Sequence, residues 1–388
     1  MIGCGCDILA DENCARLVGR RVGLLANPAS VTHDLRHTAD LLLSCAIDIT
    51  ALFGPQHGYR GDTQANMVEW KSYTHPRLGI PVYSLYGEDR QPHPEMLGDL
   101  DVMVIDLPDV GARPYTYLWT AVLTIKACTA SGVPVLVLDR PNPIGGGHLE
   151  GPILEPQLRS FVGLHPILLR HGCTMCELIA MISAEEKINC ELEMVEMRGW
   201  ERTMFFETTG IPWILPSPNI PTPDTAVVYP GMVLLEGTNL SEGRGTTRPF
   251  EIAGAPWIDP GDLVRELSTL QLEGVTFRPH FFTPTWDKHR DTLCGGVQIH
   301  VTNRERFRSV MCGVSIIAAA ARLYPEHFAW KDPPYEYEYD KPPIDILYGS
   351  TTLREAIRDG EDISVLAEGW RDMEAAFAER RKPYILYR

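Results

Sequence analysis

Residues 102–138 read VMVIDLPDVGARPYTYLWTAVLTIKACTASGVPVLVL, and they decide the fold. Two near-continuous apolar runs, Val102–Leu107 and Val133–Leu138, bracket an apolar stretch from about Tyr117 to Ala130 that stops at Ser131-Gly132. Short runs without polar alternation are strands buried on both faces, and such strands belong to parallel sheets covered by helices. Toward the N-terminus the same alternation continues. Arg21–Ala26 and Ile47–Phe53 read as strands around a helix at about His37–Ala46, and Pro81–Leu85 reads as another strand. The fold class expected is α/β, with a Rossmann-like parallel sheet in residues 1–154.

Beyond that point the pattern changes. Residues 151–170 read as a connector, Thr174–Lys187 as a helix and Glu191–Met197 as a strand. Residues 212–245 are rich in Pro, Gly, Asn and Thr, hence loop. Asp259–Leu270 is a helix opened by Asp-Pro. Strands at Val275–Phe282 and Gly296–Val301 and long helices at Arg304–Leu323 and Ile363–Arg381 follow. These form a second, α+β domain, residues 155–388.

Lys plus Arg number 35 against 51 Asp plus Glu, a net charge of −16. That balance argues against nucleic-acid phosphates and anionic membranes as partners. The longest uncharged apolar stretch, Ser309–Ala321, is too short to span a bilayer. With no apolar leader at the start, a cytoplasmic location is expected. Ten cysteines are then expected to stay reduced. Cys173 and Cys176 form a C-x-x-C without a second ligand pair at zinc spacing, so they read as small buried residues. Gly145-Gly146-Gly147 lacks dinucleotide spacing, no phosphate loop exists, and no G-x-S-x-G elbow is present. No cofactor and no metal are expected.

Ligands of an open parallel sheet bind beyond the carboxyl ends of its strands. Three Gly- and Pro-framed polar clusters fall there. The first holds Gln56, His57, Arg60 and Asp62. The second holds Asp109, Arg113 and Tyr115, and the third Asp139, Arg140 and Asn142. The plainer alternative is that Asp106 and Asp139 cap the next element and that Arg113 and Arg140 pair with them. The second domain adds Asn219 and Thr222 in a stiff SPNIPT segment, and the loop EGTNLSEGRGTT with Glu236, Asn239, Glu242 and Arg244. Glu236 and Glu242 would diverge by about 120° on a helix, but a Gly-rich loop can aim both at one point. Paired carboxyls suit glycoside hydrolysis: one protonates the leaving oxygen, the other stabilises or attacks the sugar cation. Their plainer alternative is ion pairing with Arg244 and Arg248. Tyr115, Tyr117 and Trp119 could stack on a sugar or pack a helix start. Glu236, Glu242, Asp109 and His57 are the catalytic candidates, and the other residues of these clusters are binding candidates.

FGPQHGYRGD, PVYSLYG, DLPDVGARPYTYLWT, LDRPNPIGG with LEGP, SFVG, SPNIPT, VYPG and EGTNLSEGRGTTRPFE occur in this order. Together they resemble the exo-β-N-acetylmuramidase family, along nearly the whole chain. The resemblance implies a site in the cleft between the two domains. It also implies release of N-acetylmuramic acid from the non-reducing end of peptidoglycan fragments, so the expected partner is a small amino sugar or muropeptide. The family's usual FGPEHG has become FGPQHG here. Gln56 cannot exchange a proton at neutral pH. The acid role must then rest on Glu236, Glu242 or an Asp, and substrate assistance by the 2-acetamido group would remove the need for a protein nucleophile. Otherwise the scaffold binds sugar without cleaving it. The resemblance implies a muramic acid lactyl carboxylate, for which Arg113, Arg140 and Arg244 are the expected readers, Arg244 first.

Overall fold

The structure, a computed structural model, describes residues 2–65 and 67–388. The first lobe is built on a seven-stranded sheet. Its strands are β1 (Arg21–Ala26), β2 (Asp48–Gly54), β3 (Tyr73–Thr74), β4 (Pro81–Ser84), β5 (Val102–Asp106), β6 (Val135–Leu138) and, after the hairpin of β7 (Glu150–Ile153) and β8 (Leu168–Arg170), β9 (Leu192–Val195). The order is β3-β4-β2-β1-β5-β6-β9. All pairings are parallel except that of the short edge strand β3 with β4. Without β3 this is the doubly wound order, whose direction of winding reverses between β1 and β5.

The period of two along each strand divides the core. Val102 and Val104 of β5 face the cluster of Leu9, Leu41 and Leu42, while Met103 and Ile105 face the helices on the other side. That helical layer includes residues 117–131, which end on Gly132 at φ 68°, and residues 175–185, which begin with a Thr174–Glu177 capping box. β9 pairs with β6 through Val135–Leu192 and Leu138–Val195. The strand expected in the second domain therefore completes the first sheet. Residues 151–170, read as a connector, contain most of the antiparallel hairpin of β7 and β8.

The second lobe carries an antiparallel sheet, order β10-β12-β11, of β10 (Ile252–Ala255), β11 (Val275–Phe282) and β12 (Cys294–Val301). Helix 309–323 crosses a helix at Pro223–Met232 inside the stretch expected to be loop. Thr222 caps this helix and Pro223 starts it, but Pro230 and Gly231 mask it in the sequence. Gly231 and Gly313 face one another so closely that a Cβ on Gly231 would strike the Ser309 carbonyl, and one on Gly313 the Gly231 backbone. The glycines permit backbone contact between helices rather than breaking one.

The C-terminus returns to the first sheet. The Tyr387 hydroxyl donates to Asp139 at 2.6 Å and accepts from the Met197 amide at 2.9 Å. Among the described residues, no helix is long and apolar enough to cross a membrane.

Candidate functional site

The loop after β2 sets the first wall. His57, Gly58 and Gly61 have φ of 69°, 90° and 68°, and the chain turns so tightly that a Cβ at Gly54 would meet the Tyr59 amide and the Trp70 ring. This turn sends Gln56 and His57 into a buried pocket, beside Tyr115 and Thr116 from the loop after β5. The second lobe closes it with Ser217, Asn219, Tyr229, Glu236, Arg244, Tyr335 and Glu336. A wider mouth adjoins, sharing Glu236, Arg244 and Tyr335 and adding Glu242, Lys288 and Lys331.

Glu236 accepts from Arg244 Nη2 at 2.6 Å and from the Tyr335 hydroxyl at 2.7 Å. Glu242 lies 3.1 Å from Arg244 Nε and accepts from Lys288 Nζ at 2.9 Å. Burial works against the Arg244 charge, but Glu236 and Glu242 outweigh it and hold the guanidinium protonated. Gly243, at φ 80°, lies where a Cβ would press on the Ile252 and Arg248 carbonyls, so the loop can pass only with glycine there. Thus the loop brings Glu236 to the pocket and Glu242 to its mouth, with Arg244 bridging both. Arg248 pairs instead with Glu251 at 3.0 Å.

Glu336 was not singled out from the sequence. It is 2% exposed, and both it and Tyr337 have positive φ, 46° and 67°. A non-glycine pair in this region holds backbone strain of the kind found at functional sites. The Tyr86 hydroxyl lies 3.0 Å from both carboxyl oxygens, and Gln56 Nε2 lies 3.4 Å from Oε1. Burial raises its pKa to about 7, against the lowering effects of Tyr86, Arg90 and Gln56. The folded-state value thus exceeds the unfolded one. The stabilisation from the protonated form is complete below the usual carboxyl range and is lost as pH rises through about 7. Glu336→Gln should remove that loss. Its unfolding free energy relative to the parent should rise by up to about 3 kcal/mol between pH 5 and pH 8. A difference that stays constant in denaturant titrations at the two pH values would contradict this.

His57 donates from Nδ1 to the Thr63 carbonyl at 2.8 Å, and burial, helped by Arg244, lowers its pKa to about 4. At neutral pH it is an uncharged ring with Nε2 as an acceptor. Gln56 is held as an amide with its oxygen toward Thr116 Oγ1 (2.6 Å) and its nitrogen toward Tyr86 (3.1 Å). Tyr115 packs against Tyr117 and Tyr229 in the pocket wall. Asn219 lines the pocket and ties Nδ2 to the Gln64 carbonyl at 3.1 Å.

Other expected site residues are placed elsewhere. Arg113, fully buried, donates to the carbonyls of Pro152, Ile167, Leu347 and Tyr348. Arg140 is paired with Asp106 at 2.5 Å. Asp139 serves Tyr387, Thr174 Oγ1 (2.8 Å) and the Cys176 amide (3.1 Å), and burial raises its pKa to about 6. Asn142 joins the Cys173 carbonyl to the Ile144 amide. Asp109 accepts from the Gly111 amide and lies 3.3 Å from His171 Nε2. It lines a separate crevice with Val31, Arg140, Phe206 and Trp213. Arg60 stacks on Tyr73 at 4.6 Å, and Asp62 sits beside Gly58. Thr222 caps its helix, and Asn239 joins the His327 carbonyl to the Ala329 amide. The residues the sequence reading missed come chiefly from PYEYEYD, 334–340. Alternating tyrosines and acids after two prolines were the available signal. Among the described residues, no group of three His, Cys, Asp or Glu stands ready to hold a metal ion.

Residues 22–224 match the family described as exo-beta-N-acetylmuramidase NamZ, N-terminal, and residues 227–387 match its C-terminal counterpart. The peptidoglycan beta-N-acetylmuramidase NamZ of Bacillus subtilis is 45% identical over 384 residues, covering 99% of this chain and 91% of that protein. Two crystal structures of DUF1343 family proteins from Bacteroides fragilis are similar throughout. One has TM-score 0.89 at 34% identity, the other 0.77 at 26%; each match covers 100% of this chain and 99% of the other.

Proposed function

The chain belongs to the exo-beta-N-acetylmuramidase NamZ family, and on that premise we propose that it is a glycosidase releasing terminal N-acetylmuramic acid from peptidoglycan fragments. One observation carries the reading in this molecule: two carboxyl groups from separate segments, Glu236 and Glu336, line one tyrosine-walled pocket. Hydrolysis of a sugar acetal commonly uses such a pair, one group to supply a proton and one to face the developing cation. Position 56 carries an amide, but the pocket still holds carboxyls. Glu236, held by Arg244 and Tyr335, is the carboxylate suited to the cationic sugar. His57, neutral, accepts a sugar hydroxyl. Ten free thiols suit a reducing compartment and support a cytoplasmic site of action on imported fragments. The charge of −16 fits a small substrate rather than a nucleic acid.

Muramic acid differs from glucosamine by a lactyl carboxylate. Arg113 and Arg140 are committed to the fold, and Arg244 is bridged between two glutamates. At the pocket mouth Lys288 is tied to Glu242, whereas among the described residues no carboxylate lies within ion-pair distance of Lys331, whose ammonium rests 5.6 Å over the Tyr335 ring. Lys331 is therefore our reader of the lactyl group. The test is a pair of aryl β-glycosides, the N-acetylmuramide and the N-acetylglucosaminide. The parent enzyme should cleave the muramide much faster. Lys331→Ala should raise KM for it about tenfold to a hundredfold, the worth of one charge-assisted contact, and leave any glucosaminide cleavage nearly unchanged. Turnover of neither glycoside by the parent enzyme would refute the glycosidase reading, and equal effects on both sugars would refute the Lys331 assignment.

A further inference from the structure

Glu336 reaches from the other lobe to Gln56, the position at which the family resemblance implies a glutamate. Gln56 Nε2 points at Glu336 Oε1, 3.4 Å away, and both side chains share the Tyr86 hydroxyl. We propose that Glu336 is the general acid of this enzyme, delivering the proton on Oε2 to the departing glycosidic oxygen. This deepens the glycosidase reading and rests on it.

The hydrogen-bond pattern determines which oxygen carries the proton. The Tyr86 hydroxyl accepts from Gln56 Nε2 and from the Met67 amide, both at 3.1 Å, so its own hydrogen is directed to Glu336. Among the described residues, Oε1 receives both the Gln56 amide and Tyr86, while Oε2 receives Tyr86 alone. Oε2 is the less engaged oxygen and the one free to hold a transferable hydrogen. Four further ionisable groups face Glu336: Arg90 favours its charged form, while Glu236 and the hydroxyls of Tyr335 and Tyr229 do not. Tyr337, next in the chain, is held by Glu69 at 2.8 Å. The result is a carboxyl that burial keeps protonated up to about neutral pH, as a proton donor must be. In the forward step the bond from the anomeric carbon to the leaving oxygen breaks and its electron pair stays on that oxygen. The Glu336 proton joins that oxygen, and Glu236 faces the cationic sugar. Water then adds at the anomeric carbon and returns its proton to Glu336.

A proton donor is needed in proportion to how poor the leaving group is. Glu336→Gln should lower kcat/KM for a muropeptide with a sugar leaving group about 10²–10⁴-fold. The loss on a dinitrophenyl muramide, whose leaving group departs as an anion unaided, should be less than tenfold. The second variant changes the neighbour and leaves the acid in place. Gln56→Glu adds a negative charge at Oε1, so the alkaline limb of the kcat/KM profile should move to higher pH. Equal losses on both substrates in Glu336→Gln, or an alkaline limb that stays put in Gln56→Glu, would overturn the assignment. Turnover of the dinitrophenyl muramide by the parent enzyme is the separate check on the glycosidase reading.

Discussion

Glu236→Gln should lose about 10²–10⁴-fold in kcat on the best muramide substrate, with KM little changed. The amide keeps the shape of the side chain and can still accept from the Tyr335 hydroxyl, which now lies 2.7 Å from the carboxylate. It cannot provide the negative charge that a cationic sugar needs. The loss should be of similar size for aryl and sugar leaving groups, because charge on the sugar develops with both. That separates Glu236 from Glu336, whose loss depends on the leaving group. Steady-state kinetics on the two substrate types decides it. Near-parental kcat, or a loss confined to sugar leaving groups, would remove Glu236 from this role.

The second large effect is on stability. Arg244 is 5% exposed and is joined to both Glu236 and Glu242, which are 5% and 2% exposed. Arg244→Met keeps much of the apolar stem but removes the cation that both buried glutamates share, and among the described residues Lys288 is the cation left beside Glu242. Removing one partner of a buried pair costs about 3–5 kcal/mol. Chemical denaturation at pH 7 should show a loss of that size. A loss below about 1 kcal/mol at pH 7 would mean the bridge is not what holds this loop.

The sheet was legible because its strands are buried on both faces. β1 begins and ends where its apolar run does, and β5 differs from its expected span only at Leu107. What the sequence could not show was partnership. Glu191–Met197 reads as a strand, but only helix 175–185 crossing over from β6 assigns it to the first sheet. Pro230 and Gly231 read as loop because backbone-to-backbone helix packing leaves no mark other than glycine.

The site divides in the same way. Glu236, Gln56 and Tyr115 were legible, being framed by Gly and Pro in distinctive motifs. Arg113 stands in an equally distinctive motif, yet its guanidinium is bound by four backbone carbonyls. Gly349, at φ 90°, passes so close that any Cβ would strike it. Motif strength alone does not distinguish an arginine that binds substrate from one that ties segments together. Glu336 was invisible for the opposite reason. Its position follows from a strained backbone and from Tyr86, which lies 250 residues earlier in the chain.

The glycosidase we propose removes one terminal muramic acid at a time. The most direct measurement is product analysis on a defined, reduced glycan fragment carrying N-acetylmuramic acid at its non-reducing end. Mass spectrometry should show free N-acetylmuramic acid and the fragment shortened by that one sugar from the earliest time points, and no release from the same fragment capped by N-acetylglucosamine. Internal cleavage products, release of the glucosamine cap, or no free N-acetylmuramic acid from the uncapped fragment would contradict the account.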